Sequence, residues 1–390
     1  MFKDILERGV EDIIVKSSLE EKLKSGRKLR VKLGFDPTGS KIHIGRAIVL
    51  RKLKAFQDLG HKVVFVVGDF TAQIGDPSDK LEKRPMLDKK VIQENLKTYK
   101  KQVGKVIDLS KAEFYYNSKW LSKLGFQEIG ELAESFSVQQ MSNRRNFKER
   151  LDRGEEVSLR EFLYPIMQGY DSVKVKADIE IGGFDQLFNL KAGRIIQKHY
   201  GQPEQDILTT TMLEGTDGRK MSTSWGNVIN ITDEPNDMYG KIMSLKDELI
   251  TKYFLLCTDL STEEIEKIKT ELSGGSNPKI IKMRLAREIV TLYHDKVVAL
   301  KAEENFENTF KKGDMPEDAL KVEAKQNSHL AELLVENKIV ESKTEFSRLI
   351  KDSAISEVEN GEKITDRDFK ISKDLNLRIG KKRFVKIIVR

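Results

Sequence analysis

Apolar residues recur along this chain with two different periods, and the alternation between them predicts its architecture. Leu29-Arg-Val-Lys-Leu33 alternates apolar with polar, as a half-buried strand does. The turn-forming stretch Gly34-Phe-Asp-Pro-Thr-Gly-Ser40 follows. Ile44, Ala47, Ile48, Leu53, Phe56 and Leu59 then recur near helical spacing, and Gly60 stands where such a helix would stop. Val63-Val-Phe-Val-Val67 is an unbroken apolar run of the kind buried inside parallel sheets. Strand, turn, helix and strand form a βαβ unit. Such units cross over right-handedly and build doubly wound sheets, with ligands at the carboxyl ends of the strands.

The same reading predicts helices over Lys89–Gly104, Leu159–Val173 and Leu187–His199, and strands over Ala112–Tyr116, Ala177–Ile181 and Asp206–Leu213. From Glu234 to about Lys312 the pattern is almost wholly helical, so a boundary is expected near 215–235. A second is expected near Gly313–Gln326, where Gly, Pro and charge dilute the periodicity. The remaining sixty or so residues carry apolar positions of their own, among them Leu330, Leu334, Phe346 and Ile350. They end in an alternating, strand-like stretch, 377–390, with six cations and no acid from Arg378 onward.

Composition narrows the picture. Hydrophobic residues are 38% and charged residues 34% of 390, apolar enough for a core and against wholesale disorder. The 69 Lys and Arg against 62 Asp and Glu leave +7, which permits a polyanionic partner without demanding one. A single cysteine, Cys257, excludes an intramolecular disulfide and a Cys-based zinc site, and the five histidines lack metal-ligand spacing. The opening residues lack the apolar core of a signal peptide, and Val63–Val67 is far too short to span a bilayer. A soluble, cytoplasmic protein without membrane attachment or resident metal is expected.

Four segments carry chemistry. Asp36-Pro-Thr-Gly-Ser-Lys-Ile-His-Ile-Gly45 leads from the first strand into its helix, where free backbone N–H groups favour a phosphate. Thr38 and His43 offer donors there, and Gly45 lets a nucleoside lie against the backbone. An ordinary capped strand–turn–helix is the plainer alternative. Asp217-Gly-Arg-Lys-Met-Ser-Thr-Ser224 is a basic, hydroxyl-rich loop whose Lys220 suits a polyphosphate; a solvated loop is the alternative. Tyr164, Gln168 and Asp171 fall on one helix face. Buried polar groups need partners, supplied by a polar ligand or by an internal network. Gly182-Gly-Phe-Asp185-Gln186 ends a strand in glycines, a carboxylate and an amide, fit to cradle a ribose or simply to turn into a helix.

In order and spacing, these segments together resemble the class I aminoacyl-tRNA synthetases, and within them the bacterial type of tyrosyl-tRNA synthetase. His43-Ile-Gly-Arg46 resembles the HIGH signature and Lys220-Met-Ser-Thr-Ser224 the KMSKS signature. Gly68–Thr71, Ile74–Pro77, the Tyr164/Gln168/Asp171 helix and Gly182–Gln186 look like markers of the tyrosine subfamily. Residues 330–390 are similar to a small RNA-binding domain shared with a ribosomal small-subunit protein. The resemblance covers nearly the whole chain.

It implies a Rossmann-like α/β catalytic domain over 1–220, an α-helical domain over 221–320 that faces the anticodon side of tRNA, and an α+β RNA-binding domain over 327–390. It implies attachment of L-tyrosine to tRNA(Tyr) at the expense of ATP, through a tyrosyl-adenylate, by a homodimer with magnesium accompanying the ATP. Thr38, His43, Arg46, Lys220 and Thr223 would serve the reaction at the phosphates. Asp36, Gly45, Gly183, Asp185, Met221 and Ser222 would bind ATP. Thr71, Asp76, Tyr164, Gln168, Asp171 and Gln186 would bind tyrosine, with Asp171 accepting from its phenol. Arg348, Lys351, Lys381, Lys382 and Arg383 would meet RNA. Gly215 and Gly218 would let the Lys220 loop flex.

Three positions depart from the family pattern. Arg46 replaces the last His of HIGH, Thr223 replaces the second Lys of KMSKS, and Lys32 stands where many members carry a Tyr beside Asp171, while another branch reads Lys-Leu-Gly there, as this chain does with Lys32-Leu33-Gly34. Arg46 would restore the charge lost at Thr223. Two other readings remain at this level: a tryptophanyl-tRNA synthetase, and an RNA-binding paralogue that has lost catalysis.

Overall fold

The computed structural model describes residues 3–76, 86–308, 319–358, 361–380 and 383–390. Contacts divide the chain into two compact units, Met1–Glu234 with Lys241–Tyr293, and Pro235–Gly240 with His294–Arg390.

The first unit is built on a six-stranded sheet: β1 (Val10–Ile14), β2 (Arg30–Phe35), β3 (Lys62–Val67), β4 (Ala112–Tyr116), β5 (Ile179–Gly183) and β6 (Asp206–Thr210). Their spatial order is β1-β6-β5-β2-β3-β4. β2 to β6 run parallel, as the doubly wound pattern requires. The sequence reading contains no β1, which adds to β6 antiparallel at the sheet edge. Val10-Glu-Asp-Ile-Ile14 has two adjacent acids and no clean alternation, so only its pairing makes it a strand.

The chain starts the parallel sheet in the middle. From β2 it winds outward through β3 and β4, then returns to β5 on the other side of β2. A crevice opens where the winding reverses, between the carboxyl ends of β2 and β5. The Ile44–Asp58 helix covers the sheet with Ile44, Ala47, Ile48, Leu50, Leu53 and Phe56 buried. The Leu159–Val175 helix begins in a capping box of Ser158 and Glu161. It crosses the Leu187–His199 helix at Gly169, where a Cβ would come within 3.0 Å of the Ala192 backbone. That close crossing holds the polar face of the first helix over the crevice. Helices Ile250–Cys257, Thr262–Ser273 and Pro278–Tyr293 complete this unit.

In the second unit β7 (Leu320–Ala324), β8 (Ile355–Glu357), β9 (Leu375–Ile379) and β10 (Arg383–Val389) form a sheet in the order β7-β10-β9-β8. Leu330, Leu334, Phe346, Ile355, Leu377 and Ile387 share its core. The strand-like stretch at the chain end is therefore two antiparallel strands, with Gly380 at φ +65 after β9. Among the described residues no helix is long and apolar enough to cross a membrane.

Candidate active site

At the crevice the carboxyl ends of β2, β3, β5 and β6 surround a cavity of about 250 Å³. Most of the expected site residues meet there. Asp36, Thr38, His43, Gly45 and Arg46 line it from the segment after β2. Gly183, Asp185 and Gln186 come from the end of β5, Tyr164, Gln168 and Asp171 from one helix face, and Lys220 and Met221 from the loop beyond β6. Thr71 and Asp76 close one side.

Asp171 is buried yet lines the cavity. Its Oδ1 accepts from Trp120 Nε1 at 2.7 Å and its Oδ2 from Asn117 Nδ2 at 3.2 Å. Burial pushes its carboxyl up to about 6, while the Lys32 ammonium and the two donors pull the other way. It is thus a mostly ionised acceptor at neutral pH, at the wall of the cavity. Trp120 and Asn117 escaped the sequence reading. The one available hint was an Asn directly after a strand, at a carboxyl end where ligands gather.

Asp36 anchors the next layer. Its two oxygens accept from Thr71 Oγ1 and Tyr164 OH, each at 2.8 Å. Burial pushes this carboxyl up to about 7. The sequence reading sets Asp36 beside the nucleotide, but its hydrogen bonds go to Thr71 and Tyr164, two residues of the expected amino-acid pocket. Asp76 accepts from Gln186 Nε2 at 2.6 Å and from Asn189 Nδ2 at 3.3 Å. Asn189 is a third residue that the sequence reading missed.

On the opposite side His43 caps the Ile44–Asp58 helix, its Nδ1 accepting from the Arg46 backbone N–H at 3.3 Å. Burial and the neighbouring Arg46 hold the imidazole down to about 3, so the ring is neutral. With Nδ1 accepting, Nε2 carries the proton and is a hydrogen-bond donor without net charge. The Arg46 guanidinium donates to Thr38 Oγ1 at 3.0 Å and lies over the Phe35 ring at 5.1 Å. Gly45 leaves the surface bare, since a Cβ there would meet His43 Nδ1 and Met221 Sδ, each at 3.1 Å.

Lys220 Nζ stands 4.0 Å from Asp185 Oδ2. Asn227, also missed in the sequence, shapes the Lys220 loop. Its Oδ1 accepts from Ser222 N at 2.8 Å, and its Nδ2 donates to Asp217 Oδ1 at 2.8 Å and to the Lys220 carbonyl at 3.1 Å. Gly218 adopts φ +84, a turn that favours glycine, whereas Gly215 sits against the Asn227 side chain.

Some expected residues lie elsewhere. Ser222 and Thr223 are outside the cavity lining, and Thr223 is exposed. In the second unit Arg348 and Lys351 are exposed on the Lys343–Lys351 helix. Arg383 donates to Glu345 Oε1 at 2.8 Å and to the Ile339 carbonyl, which ties β10 to that helix. Lys381 and Lys382 lie outside the described residues.

Comparison with known proteins bears on what such a pocket does. The family model of class I tRNA synthetases (W and Y) matches residues 24–311. The chain is 45% identical to a tyrosine–tRNA ligase of Desulfotalea psychrophila, over 99% of this chain and 97% of that one. It is 44% identical to a tyrosine–tRNA ligase of Thermotoga maritima, over 98% and 96%. Among solved structures, a C-terminally truncated mitochondrial tyrosyl-tRNA synthetase of Coccidioides posadasii shares 25% identity, with a TM-score of 0.63 over 78% of this chain and 91% of that one. The fold is also that of a tyrosyl-tRNA synthetase of Archaeoglobus fulgidus solved with L-tyrosine, TM-score 0.61, 20% identity, over 77% and 98%.

Proposed function

We propose a role for each pocket residue from one premise: the chain belongs to the tyrosyl-tRNA synthetases of class I. It is an ATP-dependent ligase that attaches L-tyrosine to tRNA(Tyr) through tyrosyl-adenylate. In the first step a tyrosine carboxylate oxygen attacks the α-phosphorus of ATP and pyrophosphate departs. In the second, a hydroxyl of the tRNA 3′-terminal ribose attacks the activated carbonyl and AMP departs. Neither step forms a covalent bond to the protein, so catalysis is positioning and charge stabilisation.

In our reading Asp171 accepts the tyrosine phenol. Phenylalanine would bring no donor to that buried carboxylate, whose charge only Trp120 and Asn117 would then satisfy, and this is a physical basis for rejecting it. Asp76, Tyr164, Gln168 and Thr71 surround the substrate ammonium, and Gln186, held by Asp76, steers the carboxyl end. Gly183 and Asp185 hold the ATP ribose, Gly45 and Met221 its base, and Ser222 joins them when the loop closes. Asp36 keeps Thr71 and Tyr164 in place. Thr38, neutral His43 and Arg46 face the phosphates, and Lys220 and Thr223 approach them from the loop. Among the described residues no three acid, His or Cys side chains gather into a metal cage. A magnesium ion would therefore arrive on the ATP phosphates, whose charge it neutralises.

A homodimer fits the exposed apolar side chains of one stretch, Phe126, Val138, Leu151, Leu159 and Leu163. As a functional division we propose a catalytic domain 1–220, a helical domain 221–320 and an RNA-binding domain 327–390, whose sheet also takes in β7 (Leu320–Ala324). Arg348, Lys351 and the 381–383 cations would meet tRNA phosphates, and the protein would work in the cytoplasm. The observation that carries the reading of the pocket is the buried Asp171 carboxylate, held by two donors at the cavity wall. Pyrophosphate exchange tests it: Asp171→Asn should raise the tyrosine KM sharply and leave the ATP KM near wild type. An unchanged tyrosine KM would reject the assignment.

A further inference from the structure

Behind the pocket lies a charge pair that no catalytic step uses. Lys32 of β2 is fully buried, and so is Glu180 of β5; they meet at 2.9 Å. The ammonium has three N–H donors and three acceptors, Glu180 Oε1, the Gln168 carbonyl at 2.9 Å and Ser172 Oγ at 2.8 Å. Glu180 in turn accepts from Gln168 Nε2 and Ser172 Oγ, each at 3.0 Å, and from Gln205 Nε2. The pair thus grips the chain on both sides of Asp171, at Gln168 one turn before it and at Ser172 directly after it. Lys32 is absent from the cavity lining.

A buried ion pair of this kind adds little stability over an apolar pair of the same volume. Its cost needs another reason, and its neighbours supply one. We propose that Lys32, paired with Glu180, is a specificity-determining positioning residue: from behind the pocket it holds Gln168 and Ser172 and so aims the Asp171 carboxylate, so that the site selects a ring bearing a hydroxyl donor. The inference rests on the assignment of Asp171 to the substrate phenol.

The charged and titratable groups that act on this helix face are Lys32 from β2, Glu180 from β5, Asp36 and Asp76 across the pocket, and Tyr164 on the same helix. Lys32 favours the charged form of Asp171 and Glu180 opposes it. Removing one charge or both therefore moves the acid limb of tyrosine binding in opposite directions. Asp36 titrates nearby in every variant, so the difference between variants reads Asp171.

The test measures tyrosine and ATP KM by pyrophosphate exchange from pH 5 to 8, with the full-length protein. Glu180→Gln keeps the shape and the cation, and its acid limb should move down. Lys32→Met with Glu180→Gln removes both charges. Because Lys32 has the larger influence, its limb should move up by about one pH unit. Tyrosine KM at pH 6 then rises roughly fivefold with ATP KM within about twofold, and the preference for tyrosine over phenylalanine falls. Limbs that stay put, or both move the same way, in variants with wild-type urea midpoints would overturn the proposal. Should the double variant not fold, the downward shift of Glu180→Gln alone still decides. Asp171→Asn, run alongside, separates a failure of the underlying assignment, since tyrosine KM would then be indifferent to Asp171 itself.

Discussion

Trp120 Nε1 donates a 2.7 Å hydrogen bond to Asp171 Oδ1, joining two residues 51 positions apart. The bond favours the charged carboxylate against the push of burial. Trp120→Phe keeps the ring bulk and deletes the donor. A hydrogen bond to a charged group is worth about 1.5–3 kcal/mol, so losing it should raise the Asp171 carboxyl by about one to two pH units and tyrosine KM several-fold at neutral pH. The ATP KM should hardly move, and the acid limb of tyrosine binding should shift upward. Pyrophosphate exchange over a pH series checks all three.

The raised carboxyls also make stability depend on pH. Burial holds Asp36 at about 7 and Asp171 at about 6, above their usual value of 3.8. Between that value and these, the folded chain keeps protons that the unfolded chain has released. The resulting stability is complete below about pH 4 and is lost as pH rises through 6 and 7. The contribution of these two groups therefore falls toward neutrality. Asp36→Asn should flatten the decline of the urea midpoint between pH 5 and 8. A slope identical to wild type would contradict the buried, raised state of Asp36.

Gly68 stands against the same carboxylate. A Cβ at this position would lie 1.8 Å from Asp36 Oδ1 and 2.3 Å from Thr71 Oγ1. Gly68→Ala must displace both, and overpacking of this kind costs about 1–3 kcal/mol. The urea midpoint should drop, and tyrosine KM should rise more than ATP KM if Thr71 serves the tyrosine side as proposed above. Equal changes in the two KM values would argue against that placement.

The two departures from the phosphate signatures can be tested as a pair. Arg46 reaches the Thr38 hydroxyl at the cavity, while Thr223 is exposed in the loop. If Arg46 replaces the charge missing at Thr223, Arg46→His and Thr223→Lys should couple by about 1 kcal/mol in the rate of adenylate formation. Each single change would be felt, and the double variant would recover part of the loss. Strictly additive effects in single-turnover measurements would reject compensation.

Much of the frame was legible before any coordinates. The Ile44–Asp58 helix, the Ala112–Tyr116 strand and the Leu187–His199 helix stand within a residue or so of where periodicity sets them. Strong local patterns fix such elements because one face of each must leave water. β1 was invisible because its residues have no pattern of their own and become a strand only by pairing with β6. The same limit applied at the site. Asp36, His43, Tyr164, Asp171 and Asp185 fell in recognisable turns and faces, but their partners did not. Asn117, Trp120, Glu180 and Asn189 are ordinary polar or aromatic residues in the linear chain.

The order of strands and helices, the glycine-rich and basic turns, and the identities of the acids and amides around the pocket were determined by the sequence, because short-range spacing and side-chain chemistry suffice to specify them. Which of those groups face one another was decided only by the tertiary structure. It set Lys32 against Glu180 behind the pocket, turned Asp36 toward Thr71 and Tyr164, and drew Arg383 to Glu345. The physical reason is that the charge and orientation of a buried polar group depend on neighbours within a few ångströms. Those neighbours arrive from strands and helices far apart in the chain, brought together only when the sheet reverses its winding at β2 and β5.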